Sequence, residues 1–235
     1  ENLKFADILT ADEGVIEVKI KGYKKLTGSL LAATQLFSYA DFSLAQTRSG
    51  YIVNSAQLQA SFFDLGQDLV RFALGVYLCD LVSVLVKGRD TRQILRLLLN
   101  TLHILCKGVR SCALYKAIFE WRLLCEIGNM PDLVACSCCG CYENEQGMYF
   151  YPIDGHIICK TCDRSEGEEK RPRFLLQPSV LYTLRYITYS ELEKLFRFQV
   201  SQEVCSRLAE VAEAYLLAQT ERNYTSLSYY KSLLP

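Results

Sequence analysis

The sequence predicts an α+β multidomain protein: a small N-terminal β-barrel, then an α-helical domain interrupted by a four-cysteine zinc ribbon. Three observations predict it. Apolar and polar residues alternate with period two up to about Phe63, the apolar period becomes helical from Leu65, and two Cys-x-x-Cys pairs, Cys136/Cys139 and Cys159/Cys162, lie nineteen residues apart. The expected boundaries are 1–64 for the barrel, 65–131 and 174–235 for the helical domain, and 132–173 for the ribbon with a charged loop.

Within the first region, Phe5 to Thr10, Val15 to Ile20, Gln35 to Leu44 and Gly50 to Gln59 read as antiparallel strands separated by turns, the first turn being Ala11 to Gly14. A barrel is the simplest closure. The numbering opens on a strand pattern without methionine, so the barrel's first strand is expected to be partly missing. Beyond it, Leu69, Phe72, Ala73, Val76 and Tyr77 form one helical stripe. Ile94, Leu97, Leu98, Thr101, Leu102 and Leu105 form a second, and Leu114, Ile118, Trp121, Leu124 and Cys125 a third, with Gly128 placed as a C-terminal cap. Met148 to Tyr151 and His156 to Ile158 read as a β-hairpin between the two cysteine pairs. Residues 164–173 read as a charged loop. Pro178 suits the first turn of a further helix, and Ser201 the N-cap of a last long one reaching about Thr220.

Two knuckles presenting two sulfurs each close a tetrahedron around one zinc ion, at Zn–S distances of about 2.3 Å. Four thiolates leave no position for water, so Zn2+ is expected to be structural, one ion per chain. The run Cys136-Ser137-Cys138-Cys139-Gly140-Cys141 also contains a second register, Cys138/Cys141. Gly140 favours the first, because the residue after a knuckle's second cysteine often needs positive φ. Reduced core cysteines, a redox dithiol, or His156 in place of one sulfur are the competing readings.

The chain's 235 residues are half apolar, enough for a well-buried core, and its 11 cysteines without a secretory leader point to a reducing cytosol. The run Leu69 to Val86 contains Arg71 and Asp80 and is not read as a membrane span. There is no phosphate-binding Gly-rich loop, no His-Glu-x-x-His and no nucleophile elbow, and two histidines supply a catalytic pair poorly, so no enzyme is expected. Formal net charge is zero, and any basic character must be local. The strongest cluster is Lys19, Lys21, Lys24 and Lys25, in which Lys19 and Lys21 share one strand face. With Tyr23 among them, and Arg48 and Tyr51 at another strand start, it suits phosphates beside stacking bases. The competing reading is a strand edge protected from aggregation by lysine.

Taken together, Leu9-Thr10 through Gly14, Ile20-Lys21-Gly22, Gln35-Leu36-Phe37, Phe119 to Gly128, Leu192 to Leu195, and above all Pro131-Asp132-Leu133-x-x-Cys136-x-x-Cys139-Gly140 with Gly155 to Cys162, resemble the bacterial RecO recombination mediators. The resemblance spans nearly the whole chain and favours the Cys136/Cys139 register. It implies an OB-fold barrel and a non-enzymatic DNA-repair factor of the bacterial cytoplasm, associated with the nucleoid. Such a factor binds single- and double-stranded DNA, anneals strands, and with RecR loads RecA onto DNA coated by single-strand-binding protein, whose acidic C-terminal tail it grips. It carries DNA contact to Lys21, Lys24 and Lys25. A tail carboxylate needs a cation beside an apolar pocket, for which Arg122 and, behind it, Lys116 are the candidates. A zinc-stabilised protein-interaction scaffold that does not touch DNA is the alternative.

Overall fold

The computed structural model describes residues 2–23, 27–48, 50–88, 90–163 and 171–234, and they divide into two compact units. The first comprises Glu1–Val109 and Thr225–Pro235, the second Arg110–Tyr224. This division cuts through the expected helical stretch 65–131 instead of falling at 64/65.

The first unit opens with β1 (Leu3–Leu9) and β2 (Val15–Lys21), paired antiparallel from Leu3↔Lys21 to Leu9↔Val15. The turn between them needs glycine. Gly14 has φ +73°, and a Cβ there would lie 2.2 Å from the Gly88 carbonyl oxygen. A short helix, α1 (Gly28–Ala33), precedes β3 (Ser38–Thr47) and β4 (Gly50–Ser61), and the sheet order is β1-β2-β4-β3. The expectation of wholly antiparallel strands is corrected at one pairing: β2 and β4 run parallel, with Val18 opposite Tyr51 and Lys19 opposite Ile52. β1 and β3 are the sheet's edges, and among the described residues no pairing joins them into a closed barrel. Inward alternation buries Val18, Ile20 and Val53, with Ile8, Ile16, Phe42, Leu44 and Tyr51 packed around them. Gln35 and Phe37 lie in the turn before β3, not in the strand, and Phe37 takes a positive φ of 62°.

A 3-10 turn, Phe63–Gln67, leads into α2 (Leu69–Leu85), whose N-cap Asp68 accepts hydrogen bonds from the Val70 and Arg71 amides. Phe37 packs edge-on against Phe72 at 5.6 Å, and its ring leaves no room for a side chain at Gly75, where a Cβ would sit 2.9 Å away. α3 (Arg92–Lys107) buries the whole expected stripe from Ile94 to Leu105. The unit is completed by α7 (Thr225–Ser232), whose Ser226 hydroxyl bonds Asp80 of α2.

In the second unit, α4 (Cys112–Glu126) starts at the Ser111 cap, α5 (Pro178–Tyr189) has proline in its first turn, and α6 (Gln202–Thr220) starts at Ser201, whose hydroxyl accepts from the Val204 amide at 3.3 Å. The ribbon strands β5 (Met148–Tyr151) and β6 (His156–Cys159) form the expected hairpin, joined by an unexpected third strand, β7 (Phe174–Leu176), in the order β6-β5-β7. The hairpin enters the helical core. Phe150 packs against Trp121 of α4 at 5.4 Å and Tyr215 of α6 at 5.2 Å, and those two rings are 5.0 Å apart. All three are buried, and the Trp121 indole N–H donates to the Thr188 hydroxyl at 2.9 Å. Among the described residues, no helix is long and apolar enough to cross a membrane.

Candidate metal centre and basic hairpin

The first knuckle is shaped by its backbone: the Cys136 amide donates to the Cys141 carbonyl and the Gly140 amide to the Cys136 carbonyl, both at 2.9 Å. Gly140 takes a φ of +73°, as its position after the second cysteine requires. The second knuckle closes through the Cys162 amide, which donates to the Cys159 carbonyl at 2.9 Å. The two meet directly, with the Cys159 amide donating to Cys136 Sγ at 3.3 Å and the Cys139 and Cys159 sulfurs 3.8 Å apart. Ligands at about 2.3 Å around a tetrahedral ion stand about 3.8 Å from each other, so these two sulfurs already have bound spacing.

Four sulfurs, those of Cys136, Cys139, Cys141 and Cys159, all lie within 4.8 Å of one another. Cys162, expected as the fourth ligand, hydrogen-bonds Cys159 and Cys139 but stands outside that compact group, and Cys141, expected to be spare, stands inside it. Cys138 is exposed. His156 lies in β6 and stacks on Tyr151 at 5.5 Å, away from a ligand's role. Burial opposes ionisation of Cys136, yet amide donors from Cys159, Cys139 and Cys138 bring its thiol down to about 6. The Cys141 amide likewise lowers Cys139. The hydrogen bond to Cys139 pushes Cys141 up to about 12, and the one to Cys159 pushes Cys162 up. Thiols this close cannot all ionise without a cation among them, and a divalent ion supplies that charge. The donor set fits a metal that prefers four sulfurs.

Two arginines hold the knuckles, and neither was singled out from the sequence. Arg185, buried on α5, donates to the carbonyls of Leu133 (2.8 Å), Val134 (3.0 Å) and Tyr142 (2.6 Å), and its guanidinium lies 3.9 Å from the Tyr142 ring centroid. It thereby pins both ends of the loop carrying the first knuckle. Asp163, directly after Cys162, accepts from the Tyr151 hydroxyl at 2.8 Å and pairs with Arg173. A signal existed for Arg185, a charge one turn from Leu181 in the helix's buried stripe.

The basic candidates separate. Lys19 and Lys21 share the outward face of the β1–β2 hairpin with Leu3 and Phe5, the cross-strand partners being Leu3↔Lys21 and Phe5↔Lys19. Phe5 is 51% and Leu3 40% exposed, and the Lys19 ammonium lies 6.0 Å from the Phe5 ring centroid. At the hairpin's rim, the Lys4 ammonium sits 4.3 Å from the Tyr23 ring centroid. Further along the same face the sign reverses. Asp7 opposes Glu17, and both line an open cleft of about 430 Å³ with Glu13 and Ser83. Arg48 is exposed in the β3–β4 turn, and the β2–β4 register sets that turn toward the Val15 end of β2, away from Lys21. Tyr51 packs into the sheet core. Lys24 and Lys25 lie outside the described residues.

The partner-binding candidates have intramolecular partners. The Lys116 ammonium lies 2.8 Å from both Glu120 of its own helix and Glu213 of α6, with its side chain 4% exposed. Arg122 pairs with Glu126 at 2.7 Å and donates to the carbonyls of Ile187, Thr188 and Ser190, closing the C-terminal end of α5. A tail carboxylate would have to displace these partners, so both cations read as struts of the second unit.

Fold and site together define a class: an α+β protein with a sheet-bearing unit and a helical unit whose core holds a thiol-rich ribbon able to take a metal ion. Known proteins narrow it. The family model described as Recombination protein O C terminal matches residues 66–228. The chain is 32% identical over 228 residues to the DNA repair protein RecO of Acetivibrio thermocellus, covering 96% of this chain and 88% of that protein. To its counterparts in Symbiobacterium thermophilum and Alkaliphilus metalliredigens it is 31% and 29% identical, over 98% and 96% of this chain and 90% and 91% of theirs. The chain belongs to the RecO family.

Proposed function

We propose that this chain is a non-enzymatic DNA repair and recombination mediator of the bacterial nucleoid. In this reading it binds single- and double-stranded DNA, anneals complementary strands and, with RecR, helps load RecA onto DNA coated by single-strand-binding protein. The first unit serves as the DNA-binding OB-type module, and Zn2+ at the ribbon is structural. The acidic tail of single-strand-binding protein is a further partner, and it would reach Arg122 or Lys116 only by displacing the carboxylates that those cations hold.

The observation that carries the reading is the basic half of the β1–β2 face. Two lysines stand beside two exposed apolar side chains in one cross-strand block, which offers phosphate contacts next to a stacking surface. The acidic half restricts the strand's path, because Asp7 and Glu17 repel phosphates.

Fluorescence anisotropy with a labelled single-stranded oligonucleotide, titrated across salt, tests it. The wild type is expected to bind with an affinity that falls steeply with salt. Lys19→Glu with Lys21→Glu is expected to weaken binding at low salt by on the order of tenfold or more and to flatten the slope by about 0.7 for each phosphate no longer neutralised. Salt-insensitive binding, or none, leaves the scaffold that does not touch DNA as the surviving reading.

A further inference from the structure

The ribbon presents more sulfur than one tetrahedral ion can use. Cys136 and Cys159 are 3% and 2% exposed and are joined by the Cys159 amide. Cys139 sits at bound spacing from Cys159. These three have settled places. The fourth vertex has two claimants, Cys141 and Cys162, and each hydrogen-bonds the same two sulfurs, those of Cys139 and Cys159. Proximity favours Cys141, which is also within 4.8 Å of Cys136. Spacing favours Cys162, which completes a Cys-x-x-Cys knuckle with the amide hydrogen bond such a knuckle makes.

We propose that the metal's fourth position is shared, with Cys141 and Cys162 as alternative ligands around a fixed trio of Cys136, Cys139 and Cys159. Both claimants are partly exposed, unlike the buried Cys136 and Cys159. Because the Cys141 amide already serves the Cys139 sulfur, the residue stays beside the metal whether or not its own sulfur is bound. Exchange forms one metal–sulfur bond and breaks another, with the proton passing from the incoming thiol to the outgoing thiolate. No oxidant is required. The ribbon therefore holds its ion through loss of either claimant and carries a spare thiol next to the metal at all times.

The inference rests on the ribbon holding a metal, and the experiment separates the two. Zinc content and the cobalt(II) absorption spectrum are measured on the full chain for the wild type, Cys141→Ser, Cys162→Ser, the double variant, and Cys136→Ser as a trio control. Each single variant is expected to bind one ion per chain with a four-sulfur cobalt spectrum. The double variant should shift to a three-sulfur spectrum with affinity reduced at least tenfold, and Cys136→Ser should lower affinity as well. If Cys162→Ser alone, or Cys141→Ser alone, gives the three-sulfur spectrum, that residue is the sole fourth ligand and the inference falls. Wild-type protein that binds no metal overturns the metal reading itself.

A variant that fails to fold is bypassed by NMR of the zinc-loaded wild type. The Cys136, Cys139 and Cys159 Cβ shifts should be those of bound thiolates, with Cys141 and Cys162 averaged between bound and free. A free-thiol shift at either claimant sinks the proposal.

Discussion

At Arg185 a single side chain does what would otherwise need several backbone contacts. Its three carbonyl acceptors belong to residues on both sides of the first knuckle, so the guanidinium fixes the loop's span as well as its position. Arg185→Ala would leave those carbonyls without their donor, at about 1–3 kcal/mol for each that stays buried. The expected outcome is a lowered unfolding midpoint in urea and, in metal-loaded protein, release of the ion at lower chelator concentration, and Arg185→Lys, which lacks the planar fork, should recover little of either. Lys116 tests a different cost. Lys116→Ala removes the cation between Glu213 and a fully buried Glu120 and should destabilise by on the order of 3–5 kcal/mol. Lys116→Met with Glu120→Leu should recover much of that loss, because the buried carboxylate goes too. Both residues were legible as helical but not as buried, since composition marks a charge and says nothing of the partner that lets it enter a core.

Among elements, hairpins and caps were readable and short pieces were not. The β5–β6 hairpin lies where the sequence reading puts it, with Met148, Phe150, Ile157 and Cys159 buried at two-residue spacing and Tyr151 buried as well. Ser201 caps α6 through its side-chain oxygen as the sequence reading expects, and Asp68 and Ser111, which that reading did not single out, cap α2 and α4 in the same way. The six-residue α1 and three-residue β7 are too short for any period, and pairing with β5 is what makes β7 a strand. The basic hairpin was half legible. Strand alternation put Lys19 and Lys21 on one face, but only the register brought Phe5 and Leu3 beside them and set Arg48 at the other end. That register makes a further prediction. Glu17→Lys extends the positive block along the same face and is expected to raise affinity for single-stranded DNA at low salt by several-fold, with the gain disappearing as salt rises. Unchanged affinity would mean that the strand does not follow this face.

The division of the whole molecule was the least legible feature, because a helical period reveals that a helix has an apolar face and not which neighbour covers it. α2 and α3 belong with the sheet, while α4, α5 and α6 belong with the ribbon. The consequence is thermodynamic. Phe150 is both a ribbon residue and a wall of the Trp121–Tyr215 core, so metal that orders the ribbon also orders the helices packed on it. The first unit buries its own cluster on Val18, Ile20 and Val53 and its own helix face on Leu74, Leu78 and Leu81. Hydrogen exchange before and after chelation should therefore divide by unit. Amides of β5, β6 and β7 should lose protection first and those of α4 and α6 next, the Trp121 emission should shift to the red as its pocket opens, and amides of β2, β4 and α2 should keep their rates. Equal loss in both units would show that the chain unfolds as one cooperative body and that the ribbon stabilises more than its own core. No loss anywhere would show that the aromatic packing holds the hairpin without metal.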